Sequence, residues 1–208
     1  MLIKWLLSLI GRYNEVGTEG IMPEEIKFNE QKSTEAASLL LHLKGGRSDY
    51  WWIIKLLYLI DRESLKRWER PVTYDLYESL PYGPVAMSIY NIIKKNLPSQ
   101  FWKRYIVTLP KEAEVMLTGR PAKIRKLSKA ELDLINEIFK EFGSLSGKEL
   151  VEYTHTLPEW RNPKDSGEKA LPLPIQEILT VLDYSSEEID RITSEIKEEE
   201  TIDAILGE

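Results

Sequence analysis

The sequence predicts a mainly α fold: a compact helical domain of about seven helices with one small β-hairpin. Three observations carry this expectation. The run DYWWIIKLLYLIDRESLKRW is apolar almost all round for its first three turns, as a helix buried at the centre of a fold must be. Ser128 with Glu131, and Ser146 with Glu149, are capping boxes that each open a helix. Strong strand propensity is concentrated in WKRYIVTL, with residues 113–117 placed to pair back on it.

The elements follow in order. Residues 1–10, MLIKWLLSLI, are too few to span a bilayer and lack the longer run and cleavage site of a signal peptide. They read as a short helix that packs on the body, or as a contact helix for a partner or a membrane surface. Residues 16–28 hold two glycines and a proline and read as a connection. A helix over 29–44 carries Ala36, Ala37, Leu40, Leu41 and Leu43 as its apolar stripe, and Gly45-Gly46 stops it. Ser48 or Asp49 caps the central helix, which runs to about Trp68. Arg70-Pro71 breaks that helix, 72–77 is weakly extended, and 80–84 is a turn. Pro84 suits the first position of a helix to about Asn96, which Pro98 ends. The two capping boxes open helices to about Phe142 and about His155. Residues 157–174 hold four prolines and read as a loop. Two last helices cover 174–182 and, from a Ser185 or Ser186 cap, the run through Ile189, Ile192 and Ile196 into the tail. The organisation is an N-terminal segment 1–28, a domain 29–171 and C-terminal helices 172–208.

Composition narrows the chemistry. With 42% hydrophobic and 30% charged residues the chain can build a sizeable core. It has no cysteine, which excludes disulfides and thiolate metal sites and suits a reducing cytoplasm. Only His42 and His155 are present, and no H-E-x-x-H spacing occurs, so no metal and no cofactor is expected. No nucleophile motif or phosphate loop appears, so no catalytic residue is assigned and the protein is not expected to be an enzyme. His42 reads as lying on the polar side of its helix with Glu35 and Ser38. Net charge is −6, unevenly spread: the last helix and tail are acidic, whereas 94–126 is basic.

Several polar residues invite two readings. Tyr58 and Asp61 share a face of the central helix with Ile54 and Leu65, and Lys55 flanks it. A lysine and an aspartate on so apolar a helix need partners. They read as fixing the packing, or as a polar patch at a partner surface. Gly83 and Pro84 read as turn and helix-start residues, with Tyr82 and Tyr90 near them. His155 reads as a helix-terminal histidine favoured by the dipole.

Four features occur together: KLLYLIDR over 55–62; Pro71 to Asp75 leading to Tyr82-Gly83-Pro84-Val85 and then Tyr90; the capping-box helix and Gly147 to Leu150; and Thr154-His155 with Trp160 five residues on. In order and spacing they resemble the Panacea domain, also called the SocA-like antitoxin domain and once described as phage-associated protein. The resemblance covers 29–171. It implies a helical domain with a small β element. It also implies the antitoxin of a type II toxin–antitoxin pair, in the cytoplasm, that neutralises an adjacently encoded protein toxin by direct contact. One branch of the family instead delivers its toxin to a protease. Expected contact residues are Tyr82, Gly83, Pro84, Tyr90, Trp102, Arg104, His155, Trp160 and Arg161, because aromatic and arginine side chains anchor interfaces. No membrane partner is expected. The alternative is nucleic-acid binding through 94–126, where Phe101, Trp102 and Tyr105 interleave with Lys103 and Arg104. The overall acidic balance argues against it.

Overall fold

The structure is a computed structural model that describes residues 28–95 and 97–206, with side chains to residue 198. The expectations for residues 1–10 and for the end of the tail lie outside the described residues.

Asn29 accepts the amide of Lys32 and opens helix α1 (Glu30–Lys44), which ends at Gly45 in the left-handed region. Strand β1 (Arg47–Asp49) leads to helix α2 (Tyr50–Trp68), whose first turn Asp49 caps by accepting the Trp52 amide at 2.9 Å. From Trp52 to Asp61 the whole of α2 is buried, as its sequence requires. Two short strands, β2 (Tyr77–Leu80) and β3 (Gly83–Ala86), form a hairpin. Helix α3 (Met87–Ile93), one helical turn α4 (Trp102–Tyr105), and the hairpin of β4 (Ile106–Leu109) and β5 (Glu114–Leu117) follow. Ser128 and Ser146 form both expected capping boxes, opening α5 (Lys129–Phe142) and α6 (Gly147–Thr154). A 3-10 turn (Pro163–Ser166) and the two-residue strand β6 (Leu171–Pro172) precede α7 (Ile175–Val181) and α8 (Ser186–Leu206). Helix α2 is the hub: α1, α5, α6, α7 and β3 all pack against it.

The expectation of a mainly α domain with one small hairpin is corrected. The described residues hold eight helices and two three-stranded antiparallel sheets, an α/β mixture with 54% helix and 12% strand. One sheet has the order β1-β5-β4, the other β3-β2-β6. The expected hairpin is the β4–β5 part of the first sheet. The rest was hidden because its strands are two to four residues long, too short for alternation to register. They also pair over long distances: Ser48 opposite Val115, and Ser79 opposite Leu171.

Smaller corrections follow. Pro84 lies in β3 rather than at a helix start, and α3 begins three residues later. Trp102–Tyr105 is helical, not strand, because the Glu30 carboxylate accepts the amides of Gln100, Phe101 and Trp102 there. Glu35 and Ser38 are buried rather than on a polar side beside exposed His42. Glu35 accepts the amides of Arg125, Lys126 and Leu127, and Ser38 that of Ala122, so together they fasten the 122–127 segment to α1. No helix among the described residues is long and apolar enough to cross a membrane.

Candidate functional site

The β2–β3 turn, the start of α2 and the end of α6 meet at one place, and Gly83 is the reason they can. Its φ is +92°, which L side chains rarely adopt. A Cβ there would lie 2.5 Å from Thr154 Oγ1 and 2.9 Å from Lys55 Nζ. Glycine therefore serves both the turn and the close approach of two other elements. Lys55 is fully buried and donates to the Pro84 carbonyl at 2.6 Å. Burial pushes its ammonium down to about 7.

Beyond α6, the His155 and Trp160 rings stack at 4.0 Å and 13°. Trp160 Nε1 donates to the Leu80 carbonyl at 3.0 Å. The His155 imidazole donates to the Pro81 carbonyl, while its Nε2 is buried without a partner. Burial, reinforced by the nearby Lys55 charge, lowers the His155 pKa. These two rings hold the turn from below.

Above it lies an aromatic face. The Trp51 ring centroid is 5.2 Å from that of Tyr50, 5.2 Å from Tyr82 and 6.0 Å from Tyr90. Lys94 Nζ sits 4.1 Å over the Tyr50 ring and donates to its hydroxyl at 2.8 Å. Tyr82 is 56% exposed at the tip of the hairpin. Tyr50, Trp51, Tyr90 and Lys94 are half-buried or exposed around it. The sequence reading missed Tyr50, Trp51 and Lys94. The available signal was that Trp51 lies one turn before Lys55 on α2, hence over the same spot.

The structure thus gathers Tyr82, Gly83, Pro84, Tyr90, His155 and Trp160 at one site and disperses the other three residues. Arg161 is exposed beyond Trp160 and paired with Glu177 at 2.8 Å. Trp102 belongs to the core at 3% exposure. Arg104 is exposed elsewhere, its guanidinium 5.3 Å over the Phe101 ring. With Trp102 inside, only Phe101 and Tyr105 of the three aromatics in 101–105 are part-exposed beside the basic side chains.

The polar residues of α2 have partners inside the fold. Asp61 accepts the amides of Val72 and Thr73, both at 2.8 Å, and hydroxyls from Thr73 and Tyr77. Tyr58 donates to Glu159 at 2.8 Å, and Arg62 pairs with the same carboxylate at 2.6 Å. These bonds tie α2 to the 71–77 segment and to the loop after α6. No group of three or more histidines and carboxylates that could hold a metal ion occurs among the described residues.

A family model described as antitoxin SocA-like, Panacea domain matches residues 53–161, just over half the chain. Neither the curated proteins nor the solved structures contain a significant match.

Proposed function

From the premise that the chain belongs to the SocA-like antitoxin, Panacea domain family, we propose that it is the antitoxin of a type II pair and neutralises a protein toxin by direct binding. It acts through a surface rather than through catalysis. The observation that supports this reading is the aromatic face of Tyr50, Trp51, Tyr82 and Tyr90 with Lys94 at its edge. Tyrosine and tryptophan offer large contact areas at low conformational cost and dominate interface hot spots. The turn beneath is fixed by Lys55, His155 and Trp160, so little ordering is needed on binding. The partner is expected to bury Tyr82 and to bring an acidic or carbonyl group to Lys94.

Co-expression with the neighbouring reading frame tests this, scored by growth and then by co-purification. The neighbour alone should arrest growth, and the wild-type chain should restore it. Tyr82→Ala and Trp51→Ala should each weaken the complex by about 2 kcal/mol or more and lose protection while melting near the wild-type temperature. Full protection by both variants would place the contact elsewhere on the molecule.

A further inference from the structure

A second site lies where α1, α4 and the 122–125 segment meet, around a cavity of about 210 Å³. Arg104, Lys123 and Arg125 line it, and among the described residues none of the three has an acidic partner. The Phe101 and Tyr105 rings flank it. On its inner wall is Thr34, 1% exposed, whose Oγ1 is buried without a hydrogen-bond partner. Buried hydroxyls are almost always bonded, so an orphan one in the wall of a cationic cavity marks a donor that a bound acceptor would satisfy.

We infer that this cavity binds a phosphate group, held by Arg104, Lys123 and Arg125 from the rim and by the Thr34 hydroxyl from within. Charge and size choose the ligand. One carboxylate, Glu35, also lines the cavity, but its oxygens are occupied: one accepts from Gln31 and the other from the amides of Arg125, Lys126 and Leu127. Three exposed cations against one anion leave the rim net positive, which suits the two charges of a phosphate dianion. Two guanidiniums offer the forked donors that suit a phosphate's several oxygens. The volume is below the roughly 300 Å³ at which drug-sized pockets begin, so the cavity takes the phosphate itself and leaves whatever carries it outside. The ligand is therefore inorganic phosphate or a terminal phosphomonoester. This site shares no residue with the aromatic face, so its fate is separate from that of the toxin-binding reading.

The test is an amide NMR titration of the full chain with inorganic phosphate at constant ionic strength, chloride serving as control. A nucleoside 5′-monophosphate and a single-stranded oligonucleotide without terminal phosphates are run beside it. Phosphate is expected to shift Thr34, Phe101 and Ala122 saturably. Tighter binding of the monophosphate would identify a phosphomonoester as the physiological source, and equal binding would identify the free ion. Arg104→Ala and Arg125→Ala should each weaken binding by about tenfold or more, and Lys148→Ala, an exposed lysine elsewhere, should not. Thr34→Val separates a ligand from a packing defect. It should raise thermal stability without phosphate, since it deletes an unsatisfied group, yet weaken phosphate binding by roughly threefold to tenfold. Stabilisation with unchanged binding, absence of any saturable phosphate shift, or binding of the oligonucleotide alone would each overturn the assignment.

Discussion

At the scale of single residues, the site is organised by what Gly83 lacks. Its positive φ and the short approaches of Thr154 and Lys55 act on the same atom position. Gly83→Ala therefore incurs backbone strain and overpacking together, a loss of roughly 2–4 kcal/mol in urea denaturation. Gly45→Ala, also at positive φ but with open space around it, should lose only about 1 kcal/mol. Lys55 governs pH dependence. Burial lowers its folded pKa to about 7, below the usual lysine range, so between that pH and about 10 the unfolded chain binds the extra proton. Its contribution is complete in alkali and is lost as pH falls through that window. Asp61 and Asp75 run the other way: burial, partly offset by their hydrogen bonds, raises both to about 6. Their contribution is present below about pH 4 and is lost as pH rises through 6. Melting temperature should thus show a minimum near neutrality. Lys55→Met should flatten the alkaline limb alone, and an unchanged alkaline limb would show that Lys55 is not the titrating group.

At the scale of elements, carboxylates far away in sequence do the work of local caps. Asp75 accepts the amides of Ser88 at 2.7 Å and Ile89 at 3.1 Å and so starts α3, whose own preceding residue, Ala86, has no side-chain acceptor. Asp75→Ala leaves the amides of Leu76, Ser88 and Ile89 without their acceptor and should cost roughly 2–4 kcal/mol. Ser146→Ala, at an exposed cap of α6, should cost about 1 kcal/mol. Comparable losses for the two would mean that Asp75 is merely another cap. The same contrast explains what was legible in the sequence. Local signals held: the buried stripe of α2, the boxes at Ser128 and Ser146, and the Gly45 stop are where the residues place them. Signals carried by partners far along the chain were not legible. Pro84 reads locally as a helix start, but pairing with Ser79 makes it strand. Trp102–Tyr105 reads as strand until Glu30 supplies a helix cap. The family resemblance drew attention to Tyr82, Gly83, Pro84, His155 and Trp160, which do converge. It could not supply Trp51 or Tyr50, because half-buried aromatics at the head of an otherwise buried helix look like more core.

At the scale of the whole molecule, the matched stretch 53–161 leaves out residues that complete the core. Residues 52–61 of α2 are buried on every side, and much of their cover comes from outside the match. Ala36, Ala37, Leu40 and Leu41 of α1 are wholly buried, as are Leu179 of α7 and Ile192 of α8. Both sheets also lose a strand at the edges of the match: β1 pairs with β5, and β6 with β2. Arg191 of α8 reaches back to Glu69 at 2.8 Å. A fragment of residues 53–161 would expose the apolar flank of α2 to water, at about 25 cal/mol for each Å² uncovered, against a net stability of only about 5–15 kcal/mol for a domain. It should show no cooperative thermal transition by circular dichroism, whereas a fragment of residues 28–206 should melt in one step. The consequence reaches the binding face. Tyr50 and Trp51 precede the match while Tyr82 and Tyr90 lie within it, so the aromatic cluster straddles its boundary. A cooperative melt from 53–161 would show that the flanking helices are accessory. Its absence, with full toxin binding by 28–206, would place both the folding unit and the complete face in the longer segment.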